Sequence, residues 1–216
     1  SVTWITSFYP KGIGFYKWLA NLGWDEAEAV KQAAGDKGSK VHRALEDLIA
    51  GKEVRLDSRY LNPTTEQEEE LTVDEYEALL FFARWYEKTK PKFLANEIVA
   101  ISEEYHYAGT IDLLCQLKDE TYIVDFKTSQ NIWTEYYLQL SAYKQALVEM
   151  KKIKPNTRLA VLQLGYRKNK DGFKFVEIED VFPLFLAARQ IWERETSGEE
   201  PKERDYPLSL KLDLGS

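Results

Sequence analysis

Two aspartates stand inside runs that otherwise read as buried strand. Asp112 lies in Thr110-Ile111-Asp112-Leu113-Leu114 and Asp125 in Tyr122-Ile123-Val124-Asp125-Phe126-Lys127, segments rich in the β-branched and aromatic residues that suit a pleated sheet. An unpaired carboxylate taken out of water costs several kcal/mol or shifts its pKa, so it persists only beside a partner charge, dense hydrogen bonds or a metal ion. Any fold of this chain has to provide that partner.

Lys118, Asp119 and Glu120 supply turn chemistry between the two runs. A tight reversal about Lys118 and Asp119 sets Asp112 opposite Asp125 on one face, with Cβ atoms about 5 Å apart. A slip of a single residue would turn them to opposite faces. Alternation along the strand gives Asp125 and Lys127 the face of Ile123, and Tyr122, Val124 and Phe126 the other. Two carboxylates that close can grip one divalent cation and repel each other without it. Two Asp oxygens, a main-chain carbonyl such as that of Phe126, and water match the hard ligation of Mg²⁺ or Mn²⁺, ions that work on phosphate esters. Lys127 is placed to orient the attacking water or to stabilise charge on the phosphoryl oxygens. A same-face salt bridge between Asp125 and Lys127 is the plain structural alternative.

Around this pair the pattern predicts helices over Phe15 to Asn21 and Ser39 to Ala50, the second stopped by Gly51. Thr72 and Glu75 form a capping box for a helix ending before Pro91. Strands follow over Ile98 to Ser102, Ala108 to Leu117 and Thr121 to Thr128. A helix capped by Thr134 then runs to about Lys152, a hairpin over Leu159 to Arg167 and Phe173 to Glu179 turns at Asp171-Gly172, and a last helix spans Phe185 to Glu193. Arg55 to Glu70 reads as an exposed loop, and residues 196–216 as an irregular tail. The order predicts one α/β domain over 1–216, with a mixed central sheet flanked by helices and a core at about 38–195. Trp18, Trp85 and Trp192 read as core.

His42 neighbours the apolar stripe Val41, Leu45, Leu48 and Ile49, so it should look inward, as a satisfied core histidine or as a group serving the acids. Gln139 and Tyr143 fall on one helix face, with Tyr136 a turn earlier; packing or contact with a nucleotide would each suit them. Net charge is -7, which argues weakly against a nucleic-acid partner. The distribution matters more, because Glu66 to Glu77 carries acids without a base and Met150 to Lys170 bases without an acid. The second run is either a solvated face or the wall of a basic groove. A lone cysteine, Cys115, with two histidines leaves structural zinc improbable and cannot hold an iron-sulfur cluster. No stretch approaches the roughly eighteen apolar residues of a membrane span, and no secretion signal is evident, so a cytoplasmic location, in a phage or bacterial host cytosol, is expected.

Taken together, Gly38 and His42, Glu97, Gly109-Thr110-Ile111-Asp112, Asp125-Phe126-Lys127, and Gln139 with Tyr143 resemble the PD-(D/E)XK nuclease superfamily, and within it the RecB-type branch of phage and mitochondrial exonucleases. The resemblance spans roughly Gly38 to Leu147 and implies a restriction-endonuclease-like fold. It implies Asp112 and Asp125 as metal ligands, Lys127 as the catalytic lysine, and His42 completing the metal environment. Glu97 resembles an additional acid, with Glu103 and Glu104 competing for that role. Gln139, Tyr143 and Tyr136 would contact the substrate strand, and Tyr137 and Trp133 would stack bases. The implied activity is a Mg²⁺- or Mn²⁺-dependent DNA exonuclease of recombination or repair, without the cluster that several relatives carry. Its partners would be single strands or duplex ends, with a homo-oligomer or a recombination protein possible beside it. A structure-specific endonuclease, a non-catalytic DNA-binding module, and a metal-free hydrolase using paired carboxylates are the rival classes.

Overall fold

The computed structural model describes residues 1–196. In chain order its elements are helices α1 (Val2–Thr6), α2 (Ile13–Leu22) and α3 (Trp24–Ile49), strands β1 (Arg59–Asn62) and β2 (Gln67–Glu70), helix α4 (Val73–Thr89), strands β3 (Lys92–Ser102), β4 (Tyr107–Leu117) and β5 (Glu120–Lys127), helix α5 (Thr134–Glu149), strands β6 (Arg158–Leu164) and β7 (Phe173–Ile178), and helix α6 (Phe182–Thr196). The main sheet runs β3-β4-β5-β6-β7. It is antiparallel except where β6 lies parallel to β5, a pairing that needs a crossover, and α5 supplies it. This mixed sheet flanked by helices is the restriction-endonuclease-like arrangement.

Strand alternation divides the core between the two faces. Ile123 packs with Val2, Ile5, Leu138, Leu147 and Phe185 under α1, α5 and α6, whereas Tyr122, Val124 and Phe126 pack with Val41, Leu45, Leu79, Phe82 and Trp85 under α3 and α4. Trp85 is fully buried; Trp18 and Trp192, also read as core, are only half-buried. Among the described residues no helix is long and apolar enough to cross a membrane.

Several local expectations change. Helix α3 begins at Trp24 and not at Ser39, running through Gly35 and Gly38 although each costs a helix roughly 1 kcal/mol against Ala. A Cβ at either glycine would meet nothing, so packing does not demand them. The expected loop over Arg55 to Glu70 is largely the β1-β2 hairpin. Its acidic strand has poor β propensity, yet Tyr60 and Leu71 dock in the core, and the Asn62 side chain accepts the Thr64 and Thr65 amides at the tip. Buried Lys40 of α3 ties the segment down, with Nζ 2.9 Å from Glu75 Oε2 and 3.6 Å from Glu69 Oε2. Glu75 also closes the predicted capping box with Thr72. Thr134 is the first residue of α5, after an N-cap at Trp133 that makes no side-chain hydrogen bond. The β6-β7 turn is a loop over 165–172, held where the Gly165 and Tyr166 amides both donate to the Gly172 carbonyl. Helix α1 escaped prediction because five residues are too short for a periodic signal. The expected tail beyond Thr196 lies outside the described residues.

Candidate active site

Strands β4 and β5 pair with the register that the tight reversal predicts, the last paired residues being Leu113 and Val124. Asp112 and Asp125 occupy the next position, where the ladder stops and side chains take over its hydrogen bonds. Asp112 Oδ2 accepts the Phe126 amide at 2.7 Å. Asp112 Oδ1 lies 3.2 Å from His42 Nδ1, and His42 Nε2 lies 2.9 Å from the Phe126 carbonyl. A carbonyl oxygen and an ionised carboxylate only accept, so these neighbours favour the protonated imidazole. Burial alone would pull its pKa down; the Asp112 carboxylate outweighs that and raises it. Burial likewise opposes ionisation of Asp112, but His42 and Lys127 leave its pKa below the ordinary value.

Asp125 goes the other way. It is 4% exposed, and burial, reinforced by the Asp112 charge, lifts its pKa in spite of Lys127. The Lys127 ammonium sits 2.7 Å from the buried Asp125 Oδ2, a direct ion pair. Burial would weaken the lysine as a cation; Asp125 and Asp112 more than offset this and raise its pKa. The ammonium also lies 4.8 Å above the Tyr136 ring, a second electrostatic hold.

A cavity of about 950 Å³ includes His42, Asp112, Lys127 and Tyr136 in its lining, whereas buried Asp125 is not part of that lining. Gly35 and Gly38 of α3 line it as well. Of the competing acids, Glu97 lines this cavity and Glu103 a separate depression beside His106. The β3-β4 register gives Glu97 the position opposite Asp112, and its positive φ of 48° withdraws it from the ladder. Burial and the Asp112 charge raise its pKa. Arg43 and Glu46 of α3 share the lining. Sequence reasoning passed over them; Glu46, four residues after His42, carried a helix-face signal, whereas Arg43, the next residue, carried none.

Gln139 and Tyr143 stand behind the cavity and are absent from its lining. Gln139 Nε2 donates to the Tyr143 hydroxyl at 2.9 Å, and burial pushes that phenol up to about 12. Gly109 is what admits the ring: a Cβ there would come within 2.4 Å of Tyr143 Cε1. Gly109→Ala should therefore displace Tyr143, break its bond with Gln139 and cost about 1–3 kcal/mol as overpacking, measured as a lower urea midpoint with unchanged slope. Trp133 is exposed, Tyr137 half-buried, and neither lines the cavity. The basic run splits. Arg158 starts β6 beside Tyr122, while Arg167, Lys168 and Lys170 follow its far end, next to Lys127 and Gln163.

Among the described residues no three His, Cys, Asp or Glu side chains form a ready cage for a metal ion. The hard donors at hand are two carboxylates on adjacent strands and the Phe126 carbonyl, all accepting oxygens. That set suits a hard divalent ion which keeps part of its water.

No curated protein matches the sequence. Among solved structures, the crystal structure of SSO0001 superposes with a TM-score of 0.37 at 11% identity, covering 78% of this chain and 77% of that one. The family model of the PD-(D/E)XK nuclease superfamily matches residues 15–207, a span that takes in Glu97, the paired aspartates, Lys127 and the whole main sheet, and the chain belongs to that superfamily.

Proposed function

We propose that this nuclease-superfamily chain is a Mg²⁺- or Mn²⁺-dependent DNA exonuclease of the RecB-type branch, acting in recombination or repair as a single nuclease domain. The observation that carries the reading is the position shared by Asp112 and Asp125 at the end of the β4-β5 ladder, with the Lys127 ammonium paired to the buried Asp125 carboxylate at 2.7 Å.

Asp112, Asp125 and the Phe126 carbonyl would hold the metal, which when bound supplies a Lewis acid that acidifies water and neutralises phosphoryl charge. His42 spans Asp112 and the Phe126 carbonyl, so it fixes the orientation of both oxygens. Lys127 is held against Asp125 and over Tyr136. From there its ammonium can orient a water for attack on phosphorus and stabilise negative charge on the phosphoryl oxygens as the bond to the leaving oxygen breaks. Arg43, on the same cavity wall, offers a second cation to a backbone phosphate.

The test is an assay of end-labelled single- and double-stranded DNA with Mg²⁺, with Mn²⁺ and with excess EDTA, beside covalently closed single-stranded circles. Linear DNA should be degraded from its ends with either metal, EDTA should abolish the reaction, and the circles should survive. Cut circles would make the chain an endonuclease. Undiminished activity in EDTA would overturn metal dependence, and binding without product under every condition would leave a DNA-binding module.

A further inference from the structure

A second cavity, of about 250 Å³, lies beside the catalytic one. Lys37 and Thr128 line both, and Thr128 directly follows Lys127. From these features we infer that this cavity receives the nucleobase of the nucleotide next to the scissile phosphate, a reading that rests on the nuclease function proposed above.

Apolar and aromatic side chains form part of the pocket lining. Phe81 and Ala78 of α4 and Leu164 at the end of β6 line it, with Tyr166 at the start of the β6-β7 loop. Gly172, at φ +75°, lies so close to Phe81 that a Cβ there would overlap the ring at 2.1 Å. The missing side chain thus lets α4 and the loop close on each other. The loop itself is pinned. Gln130 Nε2 donates to the Gly165 carbonyl at 2.6 Å while its Oε1 accepts the Arg167 amide at 3.4 Å. Asn169 donates to the Phe173 carbonyl and accepts the Gly172 amide.

Charge at the rim favours a polyanion by a small margin. Lys37, Arg167 and Lys170 face Asp74 and Glu77. Asp74 is shared between Lys37 at 3.7 Å and Arg167 at 4.0 Å, so two cations lean on one acid and both retain capacity for phosphate. The amides of Gln130 and Asn169 are engaged with the main chain, and ring stacking with charge is tolerant of base identity.

The test uses the full chain and short single-stranded oligonucleotides in which one abasic residue is walked through the positions flanking the cut. Hydrolysis is measured for the parent chain, and binding by fluorescence anisotropy in an Asp125→Asn background. At one flanking position the abasic residue should raise KM and Kd about tenfold, as expected for one lost stack, with kcat little changed. Tyr166→Ala should weaken the intact oligonucleotide by a similar factor and no longer distinguish it from the abasic one. Tyr166→Phe should keep the distinction, since the ring and not the hydroxyl does the stacking. Equal hydrolysis of every abasic substrate, or a penalty that survives Tyr166→Ala, overturns the base pocket and leaves the nuclease reading standing. A positional penalty in binding without any hydrolysis by the parent chain keeps the pocket and removes the nuclease.

Discussion

Asp125→Asn should yield a folded protein that hydrolyses DNA about three orders of magnitude more slowly than the parent, each order being worth about 1.4 kcal/mol of transition-state stabilisation. The substitution keeps the shape of the side chain and removes one of the two charges that would hold a divalent ion. Stability should change little. Burial holds the Asp125 pKa above its ordinary value, so the folded state binds that proton more tightly than the unfolded one. Ionisation at neutral pH therefore costs the fold free energy, and Asn removes this cost. Against it, Lys127 loses its nearest counter-charge, although the Asp112 charge still acts on it. A second readout separates metal binding from catalysis. Saturating Mn²⁺ should raise the melting temperature of the parent, ligand at a hundred times Kd being worth about 2.7 kcal/mol, and should leave that of Asp125→Asn nearly unmoved. A folded Asp125→Asn chain that digests DNA at the parental rate would remove Asp125 from the site.

Glu75→Ala should destabilise the fold by about 3–5 kcal/mol, a large part of what holds an ordinary domain together. Its carboxylate accepts the Thr72 amide at 2.8 Å and the Lys40 ammonium at 2.9 Å, and the two side chains are only 5% and 4% exposed. Without it Lys40 keeps just Glu69, half out in solvent, and the Glu70 carbonyl at 3.3 Å. Removing one partner of a buried pair leaves a desolvated charge; removing both does not. Hence Lys40→Met combined with Glu75→Gln, which keeps the cap, should recover most of the loss in a urea titration. A Glu75→Ala protein within about 0.5 kcal/mol of the parent, the range of ordinary surface substitutions, would show the pair to be idle. Lys40 lies two residues before His42 on α3, so the same anchor steadies the helix that reaches the catalytic groups.

Where the sequence misled, the residues involved had no local signal. Gly35-Asp36-Lys37-Gly38 has the composition of a turn, yet α3 runs through it because its ends are held by Ala27 on one side and Val41, Ala44 and Leu45 on the other, all buried. Gln67-Glu68-Glu69-Glu70 reads as solvated chain and is a strand because Tyr60, Leu71 and Lys40 fasten the hairpin. The basic stretch from Met150 to Lys170 looked like one wall. It is two, because β6 lies between its halves and carries them to opposite ends of the sheet.

The adjacency of Asp112 and Asp125, the face they share with Ile123, and the capping box at Thr72 and Glu75 were determined by the sequence alone. Each follows from strand alternation, a two-residue turn or a single helical turn, where few backbone angles intervene and the geometry is close to obligatory. Tertiary structure decided which distant groups complete that nucleus: His42 bridging to the Phe126 carbonyl across 84 residues, Glu97 and not Glu103 lining its cavity, and the Phe81 ring meeting Gly172. Those contacts come from packing helices on the two faces of one sheet. Only the summed burial of both cores selects among the many arrangements that local preference leaves open.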